Sequence, residues 1–410
     1  MTLPNPEDRA AGRAPLAFLL FLALMTSVVA FTIDAVLPAL DAISDDLAFR
    51  DPNDRQLIVM IVFLGMGLSQ PLFGPLADSI GRKRASLVGW GIFLVGSALC
   101  GVASNPEAML AGRFLQGFGA GGPRIIAVAV VRDLYTGRPM ARILSIVLTI
   151  FMLVPMLAPL VGQWIELWGG WRMIFVFYGA MAAVAALWYG IGVPETLAPE
   201  AKRPLTLRPV AQGFAEVLSN RKAMAYTASA ACVFGPFLTY LATAQQVLEE
   251  LYDLGTLFPA AFGLLAIAFA GASFANSRLV MALGMRRLAL IGLVSLFLVS
   301  LGGALLMVLV TGGQPPLWVF MTLMALVFTC IAILFANFNT LALEPLGHVA
   351  GTASAVVMSL SSLGAMPVGL LIAQSYNGSL LPMFGGFALM AAIGLGCFRL
   401  AESPIARPQP

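Results

Sequence analysis

The chain has 410 residues, of which 60% are hydrophobic and only 10% charged, with a formal net charge of +3. Soluble globular domains carry about 25% charged residues, so composition excludes a water-soluble enzyme or binding module and leaves an all-α integral membrane protein. Cys100, Cys232, Cys330 and Cys397 each stand alone in an apolar run and the one histidine, His348, falls in a short loop, which excludes a disulfide framework, a metal site and His-based catalysis.

Arg9 and Arg13 precede an apolar stretch that resembles a signal peptide. It is too long for one and lacks a small-residue cleavage site, so it is read as the first membrane helix. Spanning a bilayer takes roughly 20 apolar residues. That length predicts spans over 15–40, 54–78, 84–104, 107–131, 142–165 and 171–193, and again over 223–248, 257–277, 286–310, 316–341, 349–374 and 379–400. A polar segment separates the two groups. The expected organisation is therefore an N-terminal six-helix half over 1–193, a cytoplasmic linker over 194–222 and a C-terminal six-helix half over 223–410.

Lys and Arg set the orientation. With the N-terminus inside, eighteen of the 23 basic residues fall on the inner side. Only Arg50, Arg55 and Arg172 fall outside, and Arg113 and Arg124 lie within a span. Both termini are thus expected in the cytoplasm. The outer segments are acidic, with Asp41, Asp45, Asp46, Asp51 and Asp54 before span two and Glu249, Glu250 and Asp253 after span seven. Solvated loop charge is the plain reading, and a funnel for cations the alternative. Gly81-Arg82-Lys83-Arg84 after span two is echoed by Gly284-Met285-Arg286-Arg287 after span eight. Two parallel six-helix repeats around a midplane site is a transporter architecture.

Charges inside the spans come next, since each costs about 2.5–3.5 kcal/mol to insert. Asp34 and Arg113 both lie about six residues, or roughly 9 Å, from the outer ends of spans one and four. Equal depth permits a structural ion pair, or a proton-carrying carboxylate tuned by a cation. Arg124 lies three turns on from Arg113 and shares its helix face. It either lines a cavity or bonds backbone carbonyls near the inner end.

The end of span two reads Gly74-Pro75-Leu76-Ala77-Asp78-Ser79-Ile80-Gly81-Arg82-Lys83-Arg84. Gly74 is expected to allow close helix contact, and Asp78 to face the positive N-terminus of another helix. Together with Gly81 and Arg82 they form a candidate conformational latch. Span five holds Pro155, Pro159 and Gly162, expected as either a tolerated kink or a bend used in alternating access.

These residues resemble a known family. The Gly74–Arg84 stretch is similar to the loop-two signature of the major facilitator superfamily, and Arg113-Phe114-Leu115-Gln116-Gly117 with Gly119 to the span-four signature of its proton-coupled members. Ala158-Pro159-Leu160-Val161-Gly162-Gln163 resembles the span-five antiporter motif, departing at Val154, Ala158 and Gln163. Val130-Val131-Arg132-Asp133-Leu134-Tyr135, Asn276–Val280 and Ala342–Ala355 resemble the bicyclomycin-resistance (Bcr/CflA) efflux branch. That places Arg132 and Asp133 with the latch. The branch often carries an Arg at the position of Val128, whereas here it stands one turn earlier, at Arg124.

The resemblance implies the major facilitator fold and proton-coupled antiport of small amphiphilic compounds or drugs, a multidrug efflux activity linked to antibiotic resistance. Asp34 and Arg113 would couple protons. Asp34, Gln116, Arg124, Tyr240, Gln245, Gln246, Asn337 and Asn339 are candidates for lining the substrate path. The implied setting is a bacterial inner membrane, with a monomer working on a proton gradient. No enzyme activity, cofactor or nucleic-acid partner is expected. The alternative is a proton-coupled carrier of a small metabolite; a membrane enzyme or receptor is disfavoured by the single intramembrane carboxylate and the half-chain repeat.

Overall fold

The computed structural model describes residues 14–403, leaving out Leu207. Arg9, Arg13 and Arg407, used above for orientation, lie outside the described residues. Among the described residues twelve helices are long and apolar enough to cross a membrane. Spans one to six run over Leu16–Asp46, Pro52–Ile80, Arg82–Gly101, Pro106–Leu134, Gly137–Gly169 and Arg172–Gly192. Spans seven to twelve run over Arg221–Leu251, Gly255–Leu283, Met285–Thr311, Leu317–Gly347, Gly351–Gln374 and Leu381–Glu402. Among the described residues there is no strand. In hydrocarbon every backbone N–H and C=O must be satisfied within its own segment, and a helix does this.

The helix ends follow from local chemistry. Asn105 accepts the Ala108 amide at 2.8 Å, and Pro106 takes the first helical position, where no donor is needed. Span two stops at Gly81, whose φ of 99° is closed to most side chains, and span eight stops at Gly284 with φ of 76°. The polar segment after span six is not featureless; it carries a helix over Arg208–Ser219.

Span one is longer than its apolar pattern suggests, and it is broken. An α-helix runs Leu16–Asp34, a 3-10 turn Leu37–Ala39, and a second helix Leu40–Asp46. Pro38 explains the break: it has no N–H to donate to the carbonyl four residues earlier, which belongs to Asp34. Asp34 therefore closes the first helix. It lies twelve residues, about 18 Å, from the end of the span at Asp46. Its distance from the span end is thus greater than the six residues expected, yet Arg113 reaches the Thr32 carbonyl (3.0 Å), so the two residues lie at one level.

By contacts the described chain falls into two compact units. The first comprises residues up to Val210 together with Leu241–Ile267, and the second comprises Ala211–Tyr240 with Ala268 onward. The ends of spans seven and eight thus group with the first six spans. In the first unit, spans two, three and four pack backbone to backbone through glycine. A Cβ on Gly117 would enter the Val62 carbonyl, and one on Gly65 would enter the Phe114 carbonyl. Close approach of this kind replaces the hydrophobic drive that lipid removes.

Span five stays one continuous helix across Pro155 and Pro159. Its Gly162 lies against the backbone of Ala35, beside the break in span one, where any Cβ would meet the Ala35 carbonyl oxygen. Backbone cannot step aside as a side chain can. Gly162→Ala is expected to cost about 1–3 kcal/mol through overpacking, read as a lower Tm in detergent; an unchanged Tm would contradict this packing.

Candidate functional site

The site is built around the broken helix of span one. Asp34 is 4% exposed, and its carboxyl makes no hydrogen bond or ion pair among the described residues. A buried carboxyl without a partner is costly. Tyr178 of span six is fully buried, carries a hydroxyl without a hydrogen-bond partner among the described residues, and lies within electrostatic reach of both Asp34 and Arg113. Phe31 and Phe177 meet edge to face at 5.6 Å and hold spans one and six together there.

Arg113 does not pair with Asp34. It is fully buried and donates from Nε to the Ile58 carbonyl (2.9 Å), from one terminal nitrogen to Gln116 Oε1 (2.9 Å) and from the other to the Thr32 carbonyl (3.0 Å). Thr32 lies in the last turn of the Leu16–Asp34 helix, where carbonyls lack intrahelical donors. A cation at a helix C-terminus is favourable, so Arg113 caps the break two residues from Asp34. Gln116 passes the network on by donating to Ser97 Oγ (2.9 Å), which donates to the Phe93 carbonyl (2.9 Å). One guanidinium thus ties spans one, two, three and four together. Gln116 is fully buried in this network.

Along this face of span four, burial falls away. Arg113 is 0% exposed, Arg124 is half-buried and Val128 is 44% exposed. Arg124 bonds no backbone carbonyl among the described residues; its guanidinium lies over the Phe151 ring at 5.8 Å.

The basic end of the first unit carries the latch residues, in an arrangement that differs from expectation. Arg82 is buried and donates from Nε to Asp133 (3.0 Å) and from a terminal nitrogen to Asp78. Glu195, just past span six, receives the Arg82 amide (2.9 Å) and the Lys83 amide (3.2 Å) at the start of span three. Glu195 thus serves the amides at the start of span three, while Asp78 is held by the Arg82 side chain one turn away. Gly74 makes no close helix contact, since a Cβ there would meet nothing within 4 Å. Arg132 is exposed and makes no ion pair or hydrogen bond among the described residues, whereas Asp133 binds Arg82.

Arg82→Gln should leave two carboxylates without a cation in a partly buried cluster. We expect normal membrane insertion and transport slowed by about tenfold or more, measured as initial rates in vesicles at matched protein levels.

The second unit repeats this clamp. Arg286, at the start of span nine, binds Glu344 at the end of span ten (3.0 Å) and Glu402 at the end of span twelve (3.3 Å). Arg82, Asp133 and Glu195 hold the matching places at spans three, four and six. The Gly-Arg echo in the sequence marks this repeat, but it does not show Glu195, Glu344 or Glu402, which come from distant helix ends.

At the acidic end of the first unit a second polar group closes spans two and seven together. Arg55 is 3% exposed and pairs with Asp41 and Glu250. Gln56 donates to Gln246 (2.6 Å), Gln246 donates to Asn53 (2.8 Å), and Gln245 donates to Glu249 (2.9 Å). Gln246 therefore belongs to this clasp, while Gln245 bonds within its own helix. Asp41 and Glu250 stay exposed, as solvated loop charge should, and also pair with this buried cation.

In the second unit, Tyr240 is buried edge to face against Phe328 at 5.0 Å. Asn337 donates to Asn276 (2.8 Å), and Asn339 to the Phe335 carbonyl of its own helix (2.8 Å). Phe234, Phe237, Phe269 and Phe335, all half-buried, form an aromatic wall with Phe328, and no ring centroid lies farther than 6.2 Å from its neighbour. All four cysteines are free.

Twelve membrane helices, repeated polar clamps and an isolated carboxyl at a helix break define a polytopic membrane transporter. The Major Facilitator Superfamily sequence profile matches residues 20–369, and the chain belongs to that family. It is 26% identical to a bicyclomycin resistance protein homolog of Haemophilus influenzae over 89% of this chain and 91% of that protein. It is 26% identical to the uncharacterized MFS-type transporter YdgK of Bacillus subtilis over 89% and 88%. Identity reaches 34% with the multidrug resistance protein MdtL of Salmonella dublin, over 43% of each chain. Among solved structures, the fold is similar to the E. coli xylose transporter XylE in a partially occluded inward-open state, with a TM-score of 0.69, 14% identity, and 96% and 99% of the two chains covered. It is also similar to the human organic anion transporter MFSD10, with a TM-score of 0.64, 20% identity, and 97% and 100% covered.

Proposed function

We propose that this transporter exports small amphiphilic compounds, drugs among them, in exchange for protons. The observation that carries the reading is Asp34: a nearly buried carboxyl with no partner among the described residues, at a helix end held by Arg113 and packed beside Gly162. Such a group can take a proton from one side and release it to the other as the protein alternates. The clasp at Arg55 and Gln56 and the clamps at Arg82 and Arg286 are the contacts that alternation would break and remake. The aromatic wall suits apolar substrates of varied shape, as do the names of the bicyclomycin- and multidrug-resistance relatives.

The positive-inside bias supports a reading with the basic end in the cytoplasm of a bacterial inner membrane and both termini on that side. A monomer suffices, and the proton gradient is the energy source. The test is transport in proteoliposomes across a panel that includes bicyclomycin. Uptake into inverted vesicles should require an acidic interior and stop when the gradient is collapsed. Movement in the same direction as the protons would overturn the export reading.

A further inference from the structure

Arg113 and Arg124 share one face of one helix but differ in how their donors are used. Arg113 spends its guanidinium on two carbonyls and Gln116, all within the protein. Among the described residues no carbonyl, hydroxyl or carboxylate bonds Arg124, and its guanidinium lies over the face of Phe151. It is half-buried where Arg113 is sealed, with the exposed Val128 one turn on. Counted along span four it lies ten residues, about 15 Å, from the basic end at Leu134.

A guanidinium at that depth is costly and brings five donors in a planar fork. That fork matches a carboxylate, sulfonate or phosphate better than any neutral group. The Phe151 ring lies against it and Val128 follows one turn on, so its partner needs an apolar body as well as a charge.

We propose that Arg124 is an anion-recognition site, which selects substrates carrying a compact negative group on an apolar body. The proposal rests on the transporter reading above and narrows its substrate class. It sets the preference opposite to the one the acidic loops would suggest for cations.

The test uses the purified full-length protein in an uncharged detergent and three dansyl probes of matched size. These are dansyl-glycine (anionic), dansyl-glycinamide (neutral) and dansyl-ethylenediamine (cationic), each titrated by its fluorescence rise. The wild type should bind the anion about tenfold or more tighter than the amide, as a charge-assisted fork predicts. Arg124→Gln should lose that preference while binding the amide as before, and Arg124→Lys should keep part of it. An unchanged preference in Arg124→Gln would overturn the proposal. So would a wild type that binds the amide or the cation as well as the anion, or none of the three; these comparisons need no variant to fold. Loss of the dansyl-glycine signal on adding phosphatidylglycerol, but not phosphatidylcholine, would assign the site to a lipid headgroup and overturn it too. Anion preference without proton-driven transport would leave this inference standing and remove the efflux reading.

Discussion

Asp34→Asn is expected to abolish gradient-driven transport while leaving the protein folded and in the membrane. The carboxyl has no hydrogen bond or ion pair among the described residues to lose. Asn has nearly the same volume, and the substitution removes a charge that burial makes costly. The Tm in detergent should therefore hold or rise. What disappears is the proton. Substrate exchange without a gradient can survive in Asp34→Asn, because that process needs alternation but no proton transfer. Gradient-driven uptake falling to background with exchange preserved is the expected pattern. Equal loss of both would make Asp34 a packing residue.

The second large effect is at the clasp. Gln56 and Gln246 touch through their side chains, and Arg55 sits buried beside them between Asp41 and Glu250. Hydrogen bonds of this kind contribute about 0.5–1.5 kcal/mol each, and those to charged groups about 1.5–3. The sum is a few kcal/mol, the size of step that proton or substrate binding can reverse. Cysteines placed at Gln56 and Gln246, in a background with Cys100, Cys232, Cys330 and Cys397 replaced, should be joined by a short bifunctional thiol reagent. Transport should drop to background on joining and return when a cleavable linker is reduced. Full transport with the linker in place would show that this end need not open.

The parts of this architecture that are legible in sequence are those written in local runs. Spans announce themselves as apolar stretches of bilayer length, and Gly81 and Gly284 as turns with basic residues behind them. Asp34, Arg113 and Arg124 stand out because charge in such runs is rare. Partners are another matter. Arg113 binds the carbonyls of Thr32 and Ile58, and every residue carries a carbonyl, so no residue type gives them away. Asp34 and Arg113 meet at one level, but the guanidinium goes to the Thr32 carbonyl and not to the carboxyl. Pro38, four residues after Asp34, is the signal that the helix breaks there.

Arg55 reads as one more charge in an acidic loop, yet it is the buried centre of the clasp. Glu195, Glu344 and Glu402 gain their roles from helix ends that meet only after folding. Gly74 shows the reverse error, since a residue that fits a motif can face open space. Tyr178 looks like any aromatic in span six until its hydroxyl is found buried, without a hydrogen bond, near Asp34.

The central claim is that one carboxyl in the first unit exchanges a proton for a substrate. Proton movement measured alongside substrate movement tests it most directly. In lightly buffered proteoliposomes containing a pH-sensitive dye, adding a transported compound should drive proton flux opposite to its own movement in the wild type. The same compound should drive none in Asp34→Asn. Substrate movement in the wild type without proton flux, or proton flux undiminished in Asp34→Asn, would contradict the account.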